Sequence, residues 1–162
     1  MTTRRTLLGL LAASPFFGGA FTPALAAVKA FAVSFTPDEW RRRLGKDAFV
    51  VLREEATERP FTSPLNNEKR TGTFVCRGCD LPLFSSAHKF DSGTGWPSYW
   101  QPITKAAIGS TVDKSYFMVR TEVHCSRCGG HQGHVFDDGP KPTGLRYCIN
   151  GLSLKFLPAK AA

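Results

Sequence analysis

Five cysteines carry most of the chemistry open to this 162-residue chain, and four of them form two matched pairs. Cys76-Arg77-Gly78-Cys79 and Cys125-Ser126-Arg127-Cys128 are CxxC knuckles, each able to present two thiolates from one tight turn. Two such turns complete a tetrahedral set of four sulfurs, the ligand set of a structural Zn2+. A site closed in this way keeps no position open for substrate, so its work is folding. Two other uses compete. An exported chain can oxidise such pairs to disulfides. A single CxxC can be a thioredoxin-like redox centre, but that needs a βαβ context, and Asp80-Leu81-Pro82 after the first pair is no helix start. The doubled motif favours one structural zinc held by Cys76, Cys79, Cys125 and Cys128.

The fifth cysteine, Cys148 in LRYCINGLSL, has no partner. On a strand, a period of two puts Arg146, Cys148 and Asn150 on one face. A cation beside a thiol lowers its pKa, and the thiolate is the reactive form. Upstream, Gly130-His131-Gln132-Gly133-His134 offers two imidazoles with room for close approach. A cysteine with histidines is the minimum for thiol chemistry with proton delivery. The plain alternative also stands on these residues: a lone cysteine is commonly a small buried hydrophobe, and His-x-x-His can be a metal site or ordinary surface.

A further stretch, SGTGWPSYW, puts aromatic residues and glycines on one turn. Together with the CxxC pairs, GHQGHVFDDGP and LRYCINGLSL, it resembles the methionine-R-sulfoxide reductase B family, over roughly Phe35 to Leu157. The resemblance implies a mainly β, Mss4-like fold of two antiparallel sheets with short flanking N-terminal helices. It also implies a four-cysteine zinc site opposite the active site. By the same resemblance Cys148 is the nucleophile that attacks methionine sulfoxide and becomes a sulfenic acid. His134, with His131 beside it, supplies the proton, Asn150 holds the polar cluster, and Trp96 packs on the substrate methyl and selects the R epimer. Arg146 is expected to stabilise the Cys148 thiolate at the substrate site. Many relatives carry a second, resolving cysteine in the SGxGWPS loop, where this chain has Thr94. An external thiol, such as a thioredoxin-like protein, would then have to regenerate Cys148. Two rivals remain: a zinc-stabilised module that binds oxidised ligands without turnover, and a thiol–disulfide oxidoreductase cycling one CxxC.

The elements that must position these residues are short. Thr36-Pro37-Asp38-Glu39 reads as a capping box with proline at the first helical position, opening a helix over 34–44 that Gly45 stops. A second short helix is expected over 48–56. After Pro60, the stretches 71–75, 81–84, 115–123 and 145–156 are rich in β-branched or aromatic residues and separated by Gly, Pro, Asn and Asp, the pattern of antiparallel strands.

The start of the chain reads differently from the rest. Met1-Thr2-Thr3-Arg4-Arg5 is followed by an uncharged run ending in Ala24-Leu25-Ala26, the layout of a secretory signal of twin-arginine type. The expected division is therefore an export signal over 1–26 and a catalytic domain over 27–162, with a periplasmic location. An uncleaved membrane anchor is the alternative, since the run is long enough to span a bilayer. The formal net charge is +8, but the cations are scattered apart from Arg41-Arg42-Arg43. The balance therefore implies mild attraction to acidic surfaces and no nucleic-acid partner. Oxidised proteins are the expected substrates of a monomeric enzyme.

Overall fold

A computed structural model describes residues 31–160. The segment 1–26 read as an export signal lies outside the described residues. Among the described residues no helix is long and apolar enough to cross a membrane.

The helix α1, Pro37–Glu54, opens on the expected capping box: the Thr36 hydroxyl accepts from the Glu39 amide, and the Glu39 carboxylate accepts from the Thr36 amide. Gly45, at φ 73°, breaks it into two helical pieces, so the two short helices of the sequence reading are joined by a kink. Trp40, Ala48, Phe49, Val51 and Leu52 form its buried face. The last turn ends on Glu55 in the left-handed conformation.

Among the described residues nine strands follow: β1 Gly72–Cys76, β2 Pro82–Ser85, β3 Lys89–Phe90, β4 Ser98–Tyr99, β5 Ile108–Asp113, β6 Arg120–Cys125, β7 His131–Phe136, β8 Arg146–Ile149 and β9 Leu154–Pro158. They form two antiparallel sheets, of order β2-β1-β9 and β3-β4-β8-β7-β6-β5. The sheets are joined by aromatic packing. Tyr99 of β4 stacks on Phe84 of β2 with ring centroids 4.3 Å apart and meets Phe74 of β1 edge-on at 5.2 Å. All three side chains are buried completely, and burying one such ring is worth about 1.5–3 kcal/mol.

Two expected strands are corrected. The stretch 145–156 is not one strand. It splits into β8 in the larger sheet and β9 in the smaller, with a 3-10 turn Gly151–Ser153 between them. The cause is Glu58, a buried carboxylate that accepts from the Gly151 and Leu152 amides at 2.5 and 2.9 Å and pulls the chain out of the ladder. The stretch 115–123 begins as a 3-10 turn, Ser115–Phe117, and becomes a strand only from Arg120. Asp113 caps that turn through the Ser115 amide at 2.8 Å.

Candidate active site and four-cysteine centre

The first CxxC knuckle follows β1 and the second follows β6, so each sheet contributes one pair. Their four sulfurs lie within 4.8 Å of one another. Cys76 and Cys128 are 3.6 Å apart and Cys79 and Cys125 3.5 Å apart, sulfur to sulfur. A disulfide needs about 2.05 Å, and all five cysteines are free thiols. A tetrahedral ion with metal–sulfur bonds of about 2.3 Å would space its ligands near 3.8 Å. The residues therefore fit a bound metal and not a disulfide pair. Around them the Cys76 sulfur receives the Gln132 amide at 3.7 Å, and Arg53 of α1 donates to the Cys128 carbonyl at 2.9 Å. The centre thus ties the helix and both sheets together.

Cys148 sits in the middle of the larger sheet, opposite Ser98 on one side and His134 on the other. Gly133 permits this pairing: a Cβ there would run into the Cys148 carbonyl. The thiol opens into a cleft of about 110 Å³ lined by Thr57, Trp96, Arg120, Gly133, His134, Phe136, Cys148 and Asn150. Its sulfur meets the Thr94 hydroxyl at 3.8 Å, and that hydroxyl is tied to Ser92, which is tied in turn to Ser98. Trp96 is fixed by its indole N–H, which donates to the Glu58 carbonyl at 3.1 Å. Asn150 is just past the end of β8. Its carbonyl oxygen accepts from the Glu58 amide, and its amide donates to the Gln132 carbonyl. Asn150 thereby holds three chain segments at the cleft floor.

Arg146 is not on the cleft wall. Its guanidinium forms a two-point pair with Asp138, both contacts 2.8 Å, and lies 4.4 Å over the Phe136 ring. Burial pushes the Cys148 thiol up; the Thr94 contact and the Arg146 charge pull it down, and the balance leaves it above the ordinary thiol value. The expectation of a thiolate favoured by Arg146 is therefore met only in direction, because desolvation outweighs it.

The two histidines are brought together, ring centroids 5.5 Å apart and edge to face. Each is held by a carboxylate that the sequence reading did not single out. His134 donates Nε2–H to Asp113 at 2.8 Å, and Asp113 also pairs with Arg120 at 2.6 Å. His131 donates Nδ1–H to Glu122 at 2.8 Å, leaving its buried Nε2 without a partner. Burial pushes Glu122 up, but the N–H groups of His124 and His131 override it and keep it below the usual carboxylate range. The Ser115 amide and hydroxyl, then His134, hold Asp113 well below that range. Asp113, Arg120 and Glu122 lie on the β5–β6 hairpin. Asp113 ends β5, while Arg120 and Glu122 alternate along β6; the sequence reading placed no strand over 108–113.

Burial also holds the His134 imidazolium below its usual value, against the pull of Asp113. At neutral pH the pair is thus thiol plus neutral imidazole. A reaction that needs one proton shared between them is expected to be flat in kcat/KM from roughly pH 6.5 to 8.5. Acid would suppress the thiolate without further benefit once His134 is protonated, and alkali would strip the shared proton as Cys148 ionises. A pH–rate profile with an optimum confined below pH 6 would contradict this pairing.

Comparison with known proteins gives a consistent result. The SelR domain family matches residues 44–158. The chain is similar to a peptide methionine sulfoxide reductase MsrB of Pseudomonas putida, 55% identical over 127 residues, covering 78% of this chain and 96% of the relative. It is similar to the MsrB of Agrobacterium fabrum, 53% identical over 120 residues, covering 74% and 89%. It also resembles the MsrB of Leptospira interrogans, 48% identical over 126 residues, covering 78% and 96%.

Proposed function

The chain belongs to the methionine-R-sulfoxide reductase B family, and from that premise we propose that it reduces the R epimer of methionine sulfoxide in oxidised proteins, through a sulfenic acid on Cys148. It is an oxidoreductase acting on sulfur, and its work is the repair of oxidised methionine. The observation that carries the finer reading is the cleft itself: the Cys148 thiol, the Trp96 indole and His134 face one small cavity.

In the proposed reaction the methyl of the substrate packs on Trp96 and the sulfoxide sulfur meets Cys148. The sulfur–oxygen bond breaks as the Cys148 sulfur takes the oxygen. The sulfoxide gains two electrons and the cysteine loses two. The proton that begins on the thiol, passed through His134, ends on the sulfenic hydroxyl. His131 and Glu122 support this step by filling the space behind His134 with a fixed imidazole. Asn150 contributes by holding the floor of the cleft. An external thiol then condenses with the sulfenic acid, releasing water, and a second thiol frees Cys148 as a disulfide leaves. A resident of the Thr94 position supports the external route: it touches the Cys148 sulfur and is a hydroxyl, which cannot form the disulfide.

The four-cysteine centre holds zinc in this reading, since four thiolates closed in a tetrahedron suit that ion. It would supply no chemistry to the sulfoxide, only the junction between the sheets. The chain acts as a monomer on exported, oxidised proteins, with residues 1–26 removed as a twin-arginine signal from a catalytic domain over 27–162. Support for export is the Arg4-Arg5 head with its uncharged run and small-residue exit.

One single-turnover experiment tests the chemistry. A racemic methionine sulfoxide peptide is mixed with excess enzyme and no reductant; the two epimers are followed by chromatography and Cys148 by mass. The expected outcome is complete loss of the R epimer, an untouched S epimer, and one added oxygen on Cys148. A stoichiometric disulfide between Cys148 and another cysteine of the chain would overturn the external route. Consumption of the S epimer would overturn the assignment of Trp96.

A further inference from the structure

A second concavity, of about 650 Å³, shares three wall residues with the Cys148 cleft: Thr57, Arg120 and His134. It is acidic, in a chain whose formal net charge is +8. Four carboxylates line it, those of Glu54, Glu55, Asp113 and Glu122, against one guanidinium, that of Arg120.

These charges are not spent alike. Asp113 is taken up by Arg120, His134 and the Ser115 amide, and Glu122 by His124 and His131. Glu54 and Glu55 are exposed. Among the described residues Glu54 has only a 3.8 Å pair with Arg41, and Glu55 has no ion pair. Both stand at the C-terminal end of α1, where the last carbonyls of a helix add partial negative charge. Arg53, the basic residue of that turn, is committed to the Cys128 carbonyl.

A further group points to a ligand. His131 is 2% exposed and lines this cavity, yet its Nε2 has no partner. With the Nδ1 proton given to Glu122, Nε2 is a lone-pair acceptor. A buried acceptor left unpaired costs stability, so an occupant that brings N–H donors is favoured. The two carboxylates, the helix end and the lone pair select the same chemistry: a cation that carries N–H groups.

We infer that Glu54 and Glu55 form a subsite for the lysine or arginine side chain of a substrate residue close to the oxidised methionine. The inference rests on the reductase reading above and adds a sequence preference to it. The occupant is the substrate's own side chain, because the cavity shares walls with the cleft that takes the sulfoxide. An ammonium or guanidinium there donates charge-assisted hydrogen bonds to the carboxylates. Arg120 does not oppose it, being paired with Asp113 at 2.6 Å. An acidic neighbour is disfavoured by the same carboxylates. Because Glu54 and Glu55 are exposed, the preference weakens as salt screens it.

The test compares four substrates with dithiothreitol as reductant: N-acetyl methionine sulfoxide, and R-sulfoxide peptides flanked on both sides by glycine, by lysine or by glutamate. In the wild type kcat/KM for the lysine peptide is expected to exceed that for the glycine peptide about tenfold, through KM, with the glutamate peptide lowest. In Glu54→Gln/Glu55→Gln the lysine advantage should fall to twofold or less, while N-acetyl methionine sulfoxide changes less than twofold. Asp38→Asn removes one charge from the other end of α1 and should leave the advantage intact, whereas Glu55→Gln alone should reduce it. No lysine advantage in the wild type, or one that survives the double variant, overturns the subsite. Equal losses in Asp38→Asn and Glu55→Gln would mean diffuse attraction by net charge, which also overturns it. A wild-type protein inactive on all four substrates would refute the reductase reading instead, and the subsite with it.

Discussion

Cys148→Ser is expected to lower methionine sulfoxide turnover at least a thousandfold while leaving the fold intact. The hydroxyl is a far weaker nucleophile at neutral pH and cannot be oxidised to the sulfenic state, so both the attack and the electron transfer are lost. The structural cost is small. Serine is close in size, the sulfur meets the Thr94 hydroxyl at 3.8 Å and lies near the Arg146 guanidinium, and a serine oxygen can serve both. The melting temperature should therefore move by only a few degrees, and an oxidised peptide should still bind through Trp96. Turnover measured beside peptide affinity separates the two rivals raised by the sequence. Peptide binding without turnover in either protein would make this a binding module, and full turnover in the variant would move the chemistry to a CxxC pair.

Removal of the metal is expected to unfold the protein at physiological temperature. Three of the four ligand cysteines are essentially inaccessible, at 0–1% exposure, so the ion would be extracted only as the structure opens. The knuckles join β1 of one sheet to β6 of the other, and Arg53 brings α1 to the same point. Structural zinc binds with about 10–16 kcal/mol apparent free energy, as much as the whole stability of a typical domain, about 5–15 kcal/mol. The chain without metal would also hold four unpaired thiols in one buried cluster. Metal analysis should find one equivalent, and stripping it with a chelator under mild denaturant should abolish the cooperative melting transition. Cys76→Ser should express poorly for the same reason. A melting curve unchanged after complete stripping would refute the structural role.

Arg146 was expected to favour the thiolate from its place on the same strand face. The folded chain spends most of that charge on Asp138, and burial then raises the thiol. In the proposed reaction the proton needed by the leaving oxygen would start within the Cys148–His134 pair. Asp113 holds His134, and Glu122 holds both His131 and His124.

The sequence alone determined the parts whose chemistry is local. A CxxC knuckle needs only four consecutive residues, so both halves of the metal centre were visible, and so were the Thr36–Glu39 capping box and the stop at Gly45. Motifs and family resemblance single out Cys148, His131, His134, Trp96 and Asn150, and all but His131 line one cleft. Tertiary structure decided which of these meet and on what terms. Period two carried Arg146 and Cys148 correctly along β8 but could not show that Glu58, some ninety positions earlier, captures the Gly151 and Leu152 amides and turns the chain into the other sheet. The pairing of His134 with Asp113, and of His131 with Glu122, depends on the β5–β6–β7 ladder, whose register is a property of three strands at once. The direction of the Cys148 shift depends on burial, which no single strand possesses until the sheets close over it.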